Sequence, residues 1–371
     1  MFYNNKISSA YIHIPFCKSI CSYCDFCKNY YNTKLVQKYI LELKNEINSK
    51  YKGEKLNTIY VGGGTPSALS LDELKQLFKV ISIFKLGNDY EFTFECNYED
   101  INEDMLILLK KNGVNRLSIG LQTMNKKFEK LLGRKIDENL MRNNVMLSKK
   151  YFDNINVDLM YGFSNETIEE LKEDLNKFIK LDVNHISTYC LIVEDHTILK
   201  IEKVKEQDSE VQSKMYYEII KELSHNGFEH YEISNFAKKG YESRHNLTYW
   251  NNEYYYGFGL GASGYTDNVR YTNTKSMNNY LDKKYIHELE ELDYDLTLEY
   301  EVILSLRKIL GINKKRFQSR FGHDFKELYN IDNLIKEQLL IEDDSNIFIP
   351  SNLLFVSNEI IVRVLETNNK V

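Results

Sequence analysis

Over the first half of the chain, short apolar runs alternate with longer segments whose apolar residues recur at helical spacing. Runs rich in β-branched and aromatic residues at Ala10–Ile14, Thr58–Gly62, Glu91–Glu95, Arg116–Gly120, Ile155–Met160 and His185–Tyr189 read as strands. Between them, Thr33–Ser49, Leu71–Phe84 and Glu166–Lys180 carry apolar residues at i, i+3 and i+4, as amphipathic helices do. Five steps cover the 175 positions from Ala10 to His185, so one strand-plus-helix unit takes 35 residues on average. Serial βα units imply a parallel sheet with right-handed crossovers. Unusual residues fall where strands end: Cys17 after the first, Gly62–Pro66 after the second, then Glu95, Gln122 and Asp158 at the next three. Functional residues gathered at the C-terminal ends of parallel strands characterise barrels. The pattern predicts an α/β fold, a partial six-stranded (β/α) barrel.

After about Asn226 the period changes. Phe228–Ile233 reads as a strand, and Arg244–Tyr265 is rich in aromatics and glycine. From Leu296 the pattern is helical at Glu299–Leu310, Lys315–Phe321 and Asp332–Glu337. A hairpin follows at Leu340–Ile349, then an amphipathic helix at Ser357–Leu365. Helices followed by a wing predict a small helical, winged-helix-like unit over 291–371. The core then occupies 1–290, with an extension over about 227–290.

Composition narrows the class. The 371 residues carry 48 Lys+Arg against 54 Asp+Glu, a net charge of −6, which argues against electrostatic wrapping of nucleic acid. No apolar run approaches 18 residues, and no apolar stretch follows a basic start, so neither a membrane span nor a secretory signal is expected. The expected location is the cytoplasm, with a position peripheral to the membrane compatible with it.

Of six cysteines, Cys17, Cys21, Cys24 and Cys27 crowd eleven positions, while Cys96 and Cys190 stand alone. In a large chain without a signal peptide such a cluster reads as metal-binding. Cys17-x3-Cys21-x2-Cys24 directly follows a strand and can offer three thiolates to an iron–sulfur cluster. Three ligands on a four-iron cube leave one iron open to an outside chelator, such as the methionyl part of S-adenosylmethionine. Electron transfer into the sulfonium can then release an adenosyl radical. The alternatives are a ferredoxin-type cluster, which wants Cys-Pro where Tyr31-Asn32 stand, and structural zinc, which wants a distal Cys or His pair. Gly62-Gly63-Gly64-Thr65-Pro66 lets backbone approach a ligand closely, or forms a tight strand–helix turn. Gly259-Leu-Gly-Ala-Ser-Gly264 has G-x-G-x-x-G form, but no clean strand precedes it and no helix follows, so a close turn at the barrel mouth is expected instead.

Tyr11-Ile-His-Ile-Pro-Phe-Cys-x3-Cys-x2-Cys-Asp-Phe resembles the radical S-adenosylmethionine superfamily, in its oxygen-independent coproporphyrinogen III oxidase-like family. The resemblance runs from about Tyr11 to Gly264. It implies a 4Fe–4S cluster on Cys17, Cys21 and Cys24, with Cys27 a bystander. It further implies that Tyr11, Gly63, Gly64, Thr65 and Glu95 contact cluster-bound S-adenosylmethionine. Tyr23, Gln122, Arg134 and Asp158 match positions that bind a second molecule in the oxidase.

Arg244-His-Asn-Leu-Thr-Tyr-Trp250 contains the only Trp. An imidazole beside flat aromatics suits an iron porphyrin, with nitrogen for the axial site and rings for stacking. The plainer reading is a loop anchored by an aromatic. His-Asn-x-x-Tyr-Trp resembles the mark of the heme chaperone (HemW-type) branch of the same family, which implies that His245 associates with heme. Two readings stand. One is a chaperone passing heme to an apo-hemoprotein such as a membrane-associated respiratory cytochrome. The other is the oxidase, a radical decarboxylase of porphyrin biosynthesis. The oxidase carries a further Cys two places after the third ligand, where this chain has Phe26, and a longer segment ahead of the cluster. Both favour the chaperone and argue against coproporphyrinogen oxidase activity. A radical enzyme acting on tRNA or protein is a third reading, for which no basic stripe speaks. Heme, a recipient hemoprotein and self-association as a homodimer complete the expected partners; nucleic acid is not among them.

Overall fold

The computed structural model describes residues 6–369, so the outermost residues of the two expected units lie outside the described residues. Six parallel strands lie side by side in chain order: β1 (Ser9–Ile14), β2 (Lys55–Gly63), β3 (Lys85–Asn97), β4 (Arg116–Gln122), β5 (Asn154–Tyr161) and β6 (His185–Cys190). Helices α1 (Thr33–Lys50), α2 (Leu71–Ile81), α3 (Glu103–Lys111), α4 (Glu138–Lys149) and α5 (Ile168–Ile179) make the crossovers. Their starts are written locally. Ser70 and Glu73 form a capping box on α2, Thr167 and Glu170 another on α5, and Asn32 caps α1.

Period-2 alternation divides each strand between two environments. Phe92, Phe94 and Cys96 on β3, like Leu117, Ile119 and Leu121 on β4, are buried in the apolar core. The alternate residues, Thr93 and Glu95 or Arg116 and Ser118, face inward, and inward residues of β2 to β6 line one cavity. The sheet therefore curls into an open barrel.

The sheet extends beyond the six expected strands. After α6 (Ser209–His225), strands β7 (Glu229–Glu232) and β8 (Asn235–Ala237) add antiparallel to the β6 edge in the order β6-β8-β7. Helix α7 (Arg244–Trp250) follows. Strand β9 (Tyr255–Phe258) then pairs parallel with β1, and β10 (Ser263–Thr266), β11 (Val269–Asn273) and β12 (Ile286–Glu291) continue outward antiparallel. The aromatic, glycine-rich stretch thus contains a helix and a seventh parallel strand. Gly259 and Gly261 follow β9 at the mouth end of the sheet, as a turn. A Cβ on Gly261 would sit 2.7 Å from Cys27 Cβ, so the turn backs the cysteine loop rather than lining the cavity.

Helix α8 (Tyr294–Ser305) ends earlier than the Leu310 read from sequence. Its chain leaves the helix to bond with the β7–β8 turn, where Ile233 N–H donates to the Arg307 carbonyl and Ile309 N–H to that of Tyr231. Helix α9 (Lys314–Phe321), a three-stranded sheet of Ile312–Asn313, Asn346–Phe348 and Ile341–Glu342, and helix α10 (Ser357–Leu365) complete the chain. Buried Glu301 of α8 pairs with Arg316 at 2.6 Å and Arg320 at 2.7 Å. Both arginines also donate to the carbonyl of Asn251, directly after α7.

Candidate functional site

The cysteine loop leaves β1 through Pro15 and is closed at its base. Phe16-Cys17 pairs in parallel with Asn29-Tyr30, so residues 18–28 form a bight between two bonded stems. Cys17, Cys21 and Cys24 line one cavity of about 400 Å³ in the barrel mouth. Cys27 does not; its thiol points toward the Lys275 carbonyl, and its own carbonyl pairs with His13 Nε2 at 2.7 Å. Burial pushes the Cys17 thiol up to about 11, opposed by a hydrogen bond from Thr65 Oγ1 at 3.5 Å. Loading a metal there is therefore coupled to loss of a proton. Among the described residues no three His, Cys, Asp or Glu side chains converge tightly enough for a single ion. A four-iron cube presents its irons at separate corners, so three sulfurs spread along one cavity wall suit it as a donor set.

The glycine loop is stitched to this bight. Gly64 N–H donates to the Ile14 carbonyl at 2.9 Å and Thr65 N–H to that of Phe16 at 2.9 Å. A Cβ on Gly64 would stand 2.9 Å from Phe16 N and 3.0 Å from Cys17 Sγ, so only glycine lets the two backbones meet. Gly63 has φ +118°, and its N–H donates to Glu95 Oε2 at 3.0 Å. Glu95 Oε1 accepts from the Tyr60 hydroxyl at 2.7 Å. Burial raises this carboxyl to about 7 despite those two donors. The cradle between glycines, Glu95 and the cysteines fits a polar ligand laid against a cluster.

Of the other expected residues, Tyr23, Gln122, Arg134 and Asp158 line the same cavity. Gln122 ends β4 on the same inward face as Arg116 and Ser118, with φ +71° beside a register shift against β5. Arg134 donates to Asn97 Oδ1 and, at 3.3 Å, to the Gly120 carbonyl, with its guanidinium 4.8 Å from the Tyr98 ring centre. Asp158 lies inside β5 rather than at its end, accepts from Asn156 Nδ2 at 2.8 Å, and is raised to about 6 by burial. Tyr11 is not on the cavity wall; its hydroxyl pairs with His13 Nδ1 at 2.9 Å.

His245 departs from the expectation of an available heme ligand. It is 1% exposed, and both ring nitrogens are engaged, Nδ1 with Thr58 Oγ1 and Nε2 with the Tyr249 hydroxyl, each at 2.7 Å. The backbone N–H groups of Arg244 and His245 donate to Glu91 at 3.0 and 3.1 Å. Thr58 lies in the N-terminal half of β2 and Glu91, its register partner, at the midpoint of β3, both away from the strand ends that meet the cysteine loop. Helix α7 is therefore the floor of the barrel, with Asn246 reaching the cavity. As folded, His245 offers no nitrogen to an axial position. Trp250 lies 6.0 Å from the Arg307 guanidinium.

Arg116, Ser118, Asn156 and Ser187 also line the cavity, and sequence reading passed over them as ordinary strand residues. Their signal is period: Arg116, Ser118 and Gln122 on β4, and Asn154, Asn156 and Asp158 on β5, alternate with Leu, Ile and Val.

The model of the radical SAM superfamily matches residues 11–178. The heme chaperone HemW of Lactococcus lactis subsp. lactis is 39% identical, over 97% of this chain and 98% of the relative. HemW of Bacillus subtilis is 36% identical over 95% and 98%. HemW of Escherichia coli is 31% identical over 77% and 78%. Among solved structures, the radical SAM enzyme coproporphyrinogen III oxidase (HemN) of Escherichia coli superposes with a TM-score of 0.86. It covers all of this chain and 92% of its own at 21% identity, a likeness of fold. The chain belongs to the HemW heme chaperone family of the radical SAM superfamily.

Proposed function

We propose that the protein binds heme, with a 4Fe–4S cluster and S-adenosylmethionine in support, and delivers the heme to apo-hemoproteins such as respiratory cytochromes. What carries the reading is similarity along nearly the whole chain to proteins named heme chaperones. Cys17, Cys21 and Cys24 would hold the cluster, and Gly63, Gly64, Thr65 and Glu95 would flank S-adenosylmethionine, with Tyr11 behind them through His13. Tyr23, Gln122, Arg134 and Asp158 surround the remaining space. Bound together, a reduced cluster and S-adenosylmethionine supply one-electron chemistry.

Heme takes the rim of the mouth in this reading. Phe26 and Ile192 line the cavity edge, yet are 65% and 58% exposed. Exposed apolar side chains at an opening suit a flat apolar face. The buried His245 keeps the floor closed instead.

The test is hemin titration of the anaerobically reconstituted protein, beside an assay for protoporphyrinogen. A saturable Soret change is expected, weakened by Phe26→Asp and Ile192→Asp and followed by transfer to an apo-cytochrome. Turnover of coproporphyrinogen, or no saturable complex, overturns the chaperone reading. Loss of the Soret change in a folded His245→Gln variant overturns the placement at the rim.

A further inference from the structure

Residues 116, 118, 120 and 122 share one face of β4, and all four line the cavity. Arg116 opens the strand, so it stands deepest, at the end opposite the cysteine loop. It is 2% exposed. A guanidinium is charged at every working pH and has five N–H donors. Here Nη1 donates to Thr93 Oγ1 at 3.5 Å, and Nε is buried with no partner. No ion pair among the described residues includes Arg116.

The neighbouring carboxylates are turned to other donors. Glu95 receives Tyr60 and Gly63, Asp158 receives Asn156, and Glu91 receives the two amides that open α7. Glu95 and Asp158 lie within electrostatic reach of Arg116 yet give it no hydrogen bond, and a buried guanidinium with an unpartnered Nε is costly, so natural folds keep one where something else completes it. The hydroxyls of Ser118 and Ser187 and the amide of Asn246 border the same space. They add neutral donors and bring no competing charge.

We propose that Arg116 forms a carboxylate-binding subsite at the barrel floor, reached by the acidic arm of a ligand inserted from the mouth. The guanidinium fork matches a carboxylate with two parallel N–H···O bonds. Two sources carry this chemistry: a propionate side chain of a porphyrin, and the carboxylate of an amino-acid moiety. The subsite stands on Arg116 and the cavity alone and does not require that heme be delivered anywhere.

The probe is sodium propionate, titrated into the full chain against sodium chloride at equal ionic strength, with melting temperature as readout. The wild type is expected to show a saturable rise above chloride. Arg116→Met should lose that rise, and Arg116→Lys, which keeps the charge without the fork, should need roughly tenfold more propionate. A rise equal in wild type and Arg116→Met, or none above chloride in the wild type, overturns the subsite. Should Arg116→Met not fold, Arg116→Lys decides, since propionate dependence equal to wild type overturns the fork.

Competition then names the source. Relief of the propionate response by hemin but not by hemin dimethyl ester assigns a porphyrin propionate. Relief by S-adenosylmethionine assigns an amino-acid carboxylate. Relief by neither, at saturation, overturns the assignment to a ligand's arm. A protein that fails to bind hemin still reports on propionate, so failure of the heme reading and of the subsite are read apart.

Discussion

Replacing Glu95 with Gln removes an ionisation while keeping the shape of the group between Tyr60 and Gly63. The carboxyl is raised from 4.5 to about 7, chiefly by burial. Its acid form is thus favoured on folding, and the unfolded chain holds fewer protons across that interval. Stability contributed by the neutral form is complete below the unfolded value and is lost as pH rises through 7. At 1.36 kcal/mol per unit, the loss between pH 5 and 8 comes to about 2–3 kcal/mol. Asp158, raised to about 6, and Glu232, raised to about 7, titrate in the same range, so wild type alone cannot isolate the effect. The difference between wild type and Glu95→Gln can. Urea unfolding of both, at half-unit steps from pH 5 to 8, should show the variant gaining on wild type by that amount as pH rises. A flat difference curve refutes the reasoning, because it means the carboxylate is as well solvated inside as in the unfolded chain.

Cys17→Ala, Cys21→Ala and Cys24→Ala should each abolish the iron–sulfur absorbance and iron content after anaerobic reconstitution, whereas Cys27→Ala keeps both. Loss in Cys27→Ala with retention in Cys17→Ala would put the ligand register in error. Gly64→Val places carbon against Phe16 N and Cys17 Sγ, so it should cost about 1–3 kcal/mol by overpacking and depress both cluster loading and S-adenosylmethionine binding. Full iron content with wild-type affinity in calorimetry would remove this loop from the site. Glu301→Ala strands the buried Arg320 and should destabilise by about 3 kcal/mol or more in urea unfolding, against an outcome near zero if solvent already screens the pair.

The barrel was legible because its six strands announce themselves twice, by β-branched runs and by spacing. The cysteine bight was legible because three thiols at that spacing have few other uses. Other features were hidden for identifiable reasons. In β3, register shifts between Leu56↔Leu86 and Thr58↔Glu91, leaving the polar 87–90 as an excursion, so only the run from Glu91 reads as strand. Helix α7 is about two turns of mixed residues, too brief for a period to show, and its role as floor depends on Glu91 and Thr58, far away in sequence. His245 carries the chemistry of a ligand in any sequence; burial and two hydroxyl partners, which decide otherwise, are tertiary facts. Arg116 looks like any strand residue until the sheet curls and encloses it.

The paired stems of the cysteine bight bear on the order of events. Ordering a loop costs conformational entropy of about 1–2 kcal/mol per residue. In small zinc modules that cost falls on metal binding, and the metal-free chain is unfolded. Here the pairing of Phe16-Cys17 with Asn29-Tyr30 and the amides of Gly64 and Thr65 spend it during folding. The thiols wait in a frame that already exists. Iron is on this count a guest of the fold rather than its founder: a chain stripped of its cluster is expected to keep the barrel, with far-UV circular dichroism unchanged after chelation, and to be refilled without being remade.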